Sequence, residues 1–397
     1  MVLDRRAALA ALAAAAFAPA AAAAPKKLPG RAAKPGLWGE ADRLAQKIVD
    51  GRLSPGVSIC VTKHGRTIYD RSPGLANIET QTPMTARSVC RIGSITKQFT
   101  AAAILLLAED GRLSIDDALA VYLPDFPRAR DLPLRRILSH TAGLGNYTEE
   151  PLPQFLKDIR ADRSTAELVA WMASSKDLQH SEPGTAWRYS NTGYVLLGAV
   201  VERASGKGYG DFLNQRIFKP LGLSDTALDH NKDVVPHRAG GYSIDVRAPT
   251  GFDKASFISM TAPGGAGALR SSAADLCAWH TALLGGKVLK PESLKAMTRP
   301  AVLNNGELPT GPGPGGKPVA IRYGFGLEID DVPGHHSVGH NGGIPGFSSV
   351  LLSLPDDGVS IAFIRNCDGG PGPAVAPDVA AALRDIMPAL TKAALAA

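Results

Sequence analysis

The sequence predicts an α+β fold, with one sheet assembled from the two ends of the chain and a mainly helical lobe inserted between them. Two observations carry this. Strand-like runs bounded by turn residues occur early, at Val57–Val61 and Thr67–Tyr69, and again in the final third, at Tyr323–Ile329, His336–His340, Phe347–Leu354 and Val359–Arg365. Between them, residues 115–235 carry helical patterns separated by Pro and Gly breaks, clearest at Leu134–Leu138 and Tyr194–Glu202. A chain of 397 residues that is 45% hydrophobic and 20% charged can bury a large core, which excludes a disordered chain and a membrane channel.

From the N-terminus, Asp4-Arg5-Arg6 precedes an apolar stretch to Phe17, then Pro19 and an alanine run with A-x-A options near Ala23. A charged start, a short apolar middle and a small-residue end describe an export signal over 1–24 that is removed. Export to the periplasm or beyond the cell is therefore expected, and Arg5-Arg6 points to the twin-arginine route. The apolar middle is shorter than the roughly 20 residues of a membrane span, so no stable membrane insertion is expected. Residues 25–36 read as a linker, and 37–390 as the folded domain. Within it, Leu37, Ala41, Leu44, Ala45 and Ile48 recur at helical spacing. Ser54-Pro55-Gly56 turns into the first strand, and His64-Gly65 returns it as a hairpin.

Ser94–Ala108 follows Gly93, contains no Gly or Pro, and is mostly apolar (Phe99, Ile104, Leu105, Leu106, Leu107), which predicts a core helix stopped at Gly111. Residues 304–318, rich in Gly and Pro, read as a surface loop. Pro355-Asp356-Asp357-Gly358 reads as a hairpin turn, and a last helix is expected over 376–390. The net charge of +6 is scattered, which gives a nucleic-acid partner no support. Cys60, Cys90, Cys277 and Cys367 form no C-x-x-C pair. Buried free thiols are expected, with one bridge left open.

Three short segments can carry chemistry. Ser94 and Lys97, three apart at the start of the core helix, share one face. A serine hydroxyl needs a neighbouring base, and a lysine in apolar surroundings can have its pKa lowered enough to serve. The helix start also offers a backbone N–H to a developing oxyanion. Tyr189-Ser190-Asn191 precedes a helix; a phenol beside a lysine cation can act as general base, and Asn191 can meet a substrate amide. In the third segment, His340-Asn341-Gly342-Gly343, the glycines let a ligand lie along a strand, and a backbone N–H just after Gly342 can complete an oxyanion site. His335, His336 and His340 lack the carboxylate and spacing of a zinc site, so neither metal nor cofactor is expected.

Taken together, S-I-T-K, Y-S-N and H-N-G resemble the motifs of class C-type β-lactamases, low-molecular-weight penicillin-binding proteins and their esterase and peptidase relatives. Supporting segments are Leu138–Leu144, Pro183-Gly184 and Gly264–Ser271. The resemblance implies an antiparallel sheet flanked by helices, of the β-lactamase/transpeptidase kind, with a cleft between sheet and helical lobe. It implies a serine hydrolase that forms an acyl-enzyme on an ester, amide or β-lactam carbonyl of a small molecule or peptide. Ser94 would be the nucleophile, Lys97 its proton partner, Tyr189 the general base and Asn191 a substrate contact. The oxyanion donors would be the N–H groups of Ser94 and Gly343. His340 stands where many relatives have Lys, so a pH-dependent positive charge is expected there, with carboxylate recognition weakening as pH rises. S-D-N and K-T-G are absent, unlike the class A pattern. Two rivals are a Ser-His-Asp hydrolase, for which no G-x-S-x-G exists, and a non-catalytic binder of cell-wall peptides.

Overall fold

The computed structural model describes residues 36–175, 177–370 and 375–397, so the leader expected over 1–24 and all but the last residue of the linker lie outside the described residues. The main sheet takes β1 (Val57–Lys63) and β2 (Arg66–Arg71) from the first part of the chain. The last part supplies β3 (Glu328–Val332), β4 (His335–Ile344), β5 (Phe347–Leu354) and β6 (Val359–Arg365). Their order is β3-β4-β5-β6-β1-β2, every neighbour antiparallel. The chain ends meet where β1 pairs with β6, Val57 opposite Arg365 and Lys63 opposite Val359.

Central β6 is buried at every residue because helices cover both faces. Val359, Ile361 and Phe363 pack under α1 (Gly39–Asp50) and α7 (Pro377–Ala396). Ala362 and Ile364 point the other way, toward α2 (Thr96–Glu109) and α6 (Ala273–Leu284). Helix α2 has no exposed face from Thr96 to Leu107, as its apolar sequence predicts. The helical lobe includes α3 (Leu134–Leu138), α4 (Thr165–Ala173) and α5 (Asn191–Ser205). Ser164 and Glu167 form a capping box on α4, and Ser190 caps α5 by accepting from the Gly193 N–H at 3.1 Å.

Three expectations are corrected. The strand expected from Tyr323 begins only at Glu328. Gly326 has φ +69°, and a Cβ there would come within 2.7 Å of the Lys97 carbonyl oxygen, so the chain turns tightly against α2 before it can extend. Residues 304–318 are not wholly loop: Thr310–Pro312 pairs with Pro318–Ala320. The last helix continues past Leu390 to Ala396, because Leu390, Ala393 and Ala394 still bury one face. All four cysteines are buried and free. Among the described residues, no helix is long and apolar enough to cross a membrane.

Candidate active site

Ser94 sits in a single 3₁₀ turn, Gly93–Ile95, that opens directly into α2. Gly93 has φ +50°, and a Cβ on it would lie 2.7 Å from the carbonyl oxygen and 2.8 Å from the nitrogen of Gly343. Only glycine lets this turn and β4 come into backbone contact. The N–H groups named as oxyanion donors, those of Ser94 and Gly343, are carried by these two touching segments.

One turn beyond Ser94, Lys97 is fully buried. Its Nζ lies 3.0 Å from Ser94 Oγ, 2.7 Å from Asn191 Oδ1 and 2.9 Å from the Ala266 carbonyl oxygen. Burial drives its pKa well below the usual lysine value. A neutral amine has two N–H donors and one lone pair. Two carbonyl oxygens take the donors, and the lone pair is left for the Ser94 hydroxyl. From 95 residues away, Tyr189 donates its O–H to Ser94 Oγ at 2.7 Å. The phenol pKa is raised, chiefly by burial, and the hydrogen bond to Ser94 only partly offsets this. Burial thus disfavours the charged form of both groups on this serine, against the easily ionised phenol expected. Ser94, Tyr189 and Asn191 are each only partly buried, so a reactant has access.

Asn191 was expected to touch substrate. Its Oδ1 holds Lys97, and its Nδ2 makes two contacts at 3.3 Å, to Asn146 Oδ1 and Thr148 Oγ1. His140, in the segment 138–144, is a residue whose part the sequence did not reveal. Its Nδ1 accepts from the Ser190 N–H at 3.2 Å, and its ring packs 4.5 Å from that of Tyr189 and 4.8 Å from that of Tyr323. It fixes the backbone beside the phenol. The Ala266 carbonyl comes from the Gly264–Ser271 segment, which likewise had no assigned part.

His340 is placed beside this group but not as expected. Its Nδ1 lies 2.6 Å from the Asn341 carbonyl oxygen, which can only accept, so the ring proton sits there. Nε2 is then the acceptor for the Tyr323 O–H at 2.9 Å. Burial pushes its pKa down to about 3. The positive charge expected at His340 is absent at neutral pH, and both ring nitrogens are already used. Gly342 is buried against Ile92 and Ser349, whereas Asn341 and Gly343 are exposed along β4.

A cavity of about 490 Å³ adjoins this group, lined by Trp187, Tyr189, Tyr323, Glu328, His340 and Asn341 among others. Two larger cavities, about 720 and 940 Å³, lie in the helical lobe and share no lining residue with it. Size does not mark the site here; the convergent polar groups do. Among the described residues, no group of three or more His, Cys, Asp or Glu is placed to hold a metal.

A family model described as Beta-lactamase matches residues 41–385. Penicillin-binding protein 4* of Bacillus subtilis (strain 168) is 29% identical over 320 residues, covering 78% of this chain and 67% of its own. Protein flp of Staphylococcus aureus (strain MRSA252) is 25% identical over 317 residues, covering 79% of this chain and 59% of its own. The chain thus spans about three-fifths to two-thirds of the length of these curated relatives. Among solved structures, D-amino acid amidase from Ochrobactrum anthropi SV3, complexed with L-phenylalanine amide, matches with TM-score 0.73 at 27% identity, over 89% of this chain and 98% of that one. D-stereospecific amidohydrolase from Streptomyces sp. matches with TM-score 0.69 at 30% identity, over 84% of this chain and 95% of that one.

Proposed function

The chain belongs to the beta-lactamase family, and on that premise we propose that it is a serine hydrolase that acts through an acyl-enzyme on Ser94. The observation that carries the reading is the pair of contacts on one hydroxyl, Lys97 Nζ at 3.0 Å and Tyr189 Oη at 2.7 Å. In acylation the Ser94 oxygen bonds to the substrate carbonyl carbon while its proton passes to neutral Lys97. Tyr189 gives its proton to the leaving nitrogen or oxygen as that bond breaks. The resulting ammonium and phenolate stabilise each other at short range. In deacylation the phenolate takes a proton from the attacking water, and Lys97 returns its proton to Ser94 Oγ. The N–H groups of Ser94 and Gly343 hold the oxyanion in both steps. Asn191 holds the amine in line; a substrate amide can replace its longer Nδ2 contacts.

Within the family, the S-I-T-K, Y-S-N and H-N-G arrangement supports a class C-type protein. The uncharged His340 supports ester, amide or peptide substrates over carboxylate-bearing β-lactams. The amide-hydrolysing names of the two structural neighbours point the same way. We further assign 37–390 as one catalytic domain, supported by a sheet that needs strands from both its ends. Residues 1–24 we assign as an export leader, supported by their sequence. The periplasmic fraction should then yield a chain lacking them by intact mass.

The test is to incubate the purified protein with p-nitrophenyl esters, nitrocefin, a D-amino-acid amide and a D-Ala-D-Ala peptide, following rates and mass adducts. Turnover with a fluorophosphonate adduct on Ser94, both lost in Ser94→Ala, is the expected result. An adduct that survives Ser94→Ala would place the nucleophile elsewhere. Labelling with no turnover on any substrate would make the protein a binder.

A further inference from the structure

We propose that Glu328 determines specificity in this site by selecting substrates that carry a positive charge near the scissile carbonyl and disfavouring those that carry a carboxylate. The inference rests on the acyl-enzyme reading and concerns the same cleft. Strand β3 pairs with β4 over His335–Gly339, and Glu328, opposite Gly339, is the final partner. From His340 to Ile344, β4 pairs only with β5 among the described residues. The open edge along which an extended substrate would run therefore begins beside Glu328 and leads to Gly343 and Ser94. The carboxylate leans along this edge, since Glu328 Oε2 accepts from Asn341 Nδ2 at 3.4 Å. It shares the 490 Å³ cavity with Tyr189 and His340, and it lies close enough to Tyr189 to oppose ionisation of the phenol.

Little nearby offsets this negative charge. His340 is neutral with both nitrogens engaged. Arg322 is tied to Asp331 at 2.5 Å, and Arg188 is tied to Glu149. A second carboxylate, Asp330, lines the same cavity. Glu328 is exposed at this edge, where a substrate carboxylate meets repulsion and an ammonium gains a partner. Desolvation, with Asp330 second, raises the Glu328 pKa to about 7. The selectivity should thus strengthen as pH rises through that value and Glu328 ionises. The groups facing Glu328 are Asp330 and Arg322, with Tyr189, Tyr323 and His340. The two phenols are held above their usual range and the imidazole far below, so none of these three titrates near pH 7.

Two isosteric ester pairs test the idea, each corrected for spontaneous hydrolysis. Choline butyrate against 3,3-dimethylbutyl butyrate places a fixed charge in the alcohol. The p-nitrophenyl ester of betaine against that of 3,3-dimethylbutanoic acid places it in the acyl group. At pH 8 the charged member of at least one pair should show about tenfold higher kcat/KM, a ratio that shrinks toward pH 6. Glu328→Gln should bring the ratio close to one, and Glu328→Asp should keep most of it. Fluorophosphonate labelling of each variant confirms an intact site. A ratio near one in both wild-type pairs, or one that Glu328→Gln leaves unchanged, overturns the inference while neutral-ester turnover leaves the acyl-enzyme reading standing. No turnover of any ester and no label on Ser94 removes that reading, and this inference with it.

Discussion

At the scale of single residues, the site depends on Lys97, Tyr189 and His340, whose charged forms burial disfavours. Replacing Lys97 with Met removes the lone pair that receives the Ser94 proton and keeps an unbranched chain of similar length. Fluorophosphonate labelling should slow by about 10²–10⁴-fold, the range for losing a general base. The two orphaned carbonyl oxygens, of Asn191 and Ala266, should cost only about 1–3 kcal/mol each. A full loss of folding in Lys97→Met would show that the amine is structural instead. Tyr189→Phe keeps the ring against His140 but deletes the proton that Ser94 accepts. With a p-nitrophenyl ester, whose leaving group needs no acid, acylation should persist while deacylation stalls. A stoichiometric burst and a lasting acyl adduct by intact mass are expected; steady turnover without a burst would deny Tyr189 its part in deacylation.

At the scale of elements, the site exists because a turn, a helix start and a strand meet without side chains between them. Gly93→Ala would force a Cβ into the Gly343 backbone and place alanine at φ +50°. The turn and β4 must separate, so labelling should fall by about 10²–10³-fold, as when one oxyanion donor is lost. Equal rates for this variant and wild type would mean that Gly343 is no part of the site. Behind the turn, Asp229 is fully buried and bonds Arg91, Arg238 and Arg270. Arg91 lies on the strand leading to Ser94, Arg270 on its partner 269–271, and Arg238 bridges to Val89 just before that strand. Burial alone would raise the Asp229 pKa, but Arg238 and Arg91 outweigh it and hold it below the usual range. Asp229→Ala leaves the partly buried Arg91 and Arg238 without this partner, while Arg270 keeps Asp233, and should cost about 3 kcal/mol in urea unfolding. A cost under about 1 kcal/mol would show this hub to be unimportant.

At the scale of the molecule, burial of imidazoles sets the acid limit of stability. His280 and His340 are pushed down to about 3 and His140 lies well below its usual value, each first by burial. Above pH 6.5 both folded and unfolded forms are neutral and nothing is gained or lost. As pH falls below 6.5 the unfolded chain binds protons that the folded chain refuses, and each such histidine lowers stability by about 1.4 kcal/mol per pH unit. Thermal unfolding at pH 5.5 should bind about three protons at these residues and release about one from Glu328, a net uptake of about two read by calorimetry in buffers of different ionisation enthalpy. Uptake below one proton would mean that these histidines are charged in the fold. His280 links α6 to α2 and β5 through Gln98 Oε1 at 2.9 Å and Ser353 Oγ at 2.8 Å.

The sequence by itself determined what is local. Helical spacing put Ser94 and Lys97 on one face, apolar runs between turn residues marked β5 and β6 to their ends, and Gly111 marked where the core helix stops. Folding alone decided what depends on residues far apart in the chain. The convergence of Tyr189 on Ser94, the parts taken by His140, Tyr323 and the Ala266 carbonyl, and the place of Glu328 at the open edge of β4 all required the sheet and the helical lobe to close on each other. Charge state was decided there too. A histidine in a sequence can be cation or neutral, and at 340 burial of the ring disfavours a second proton.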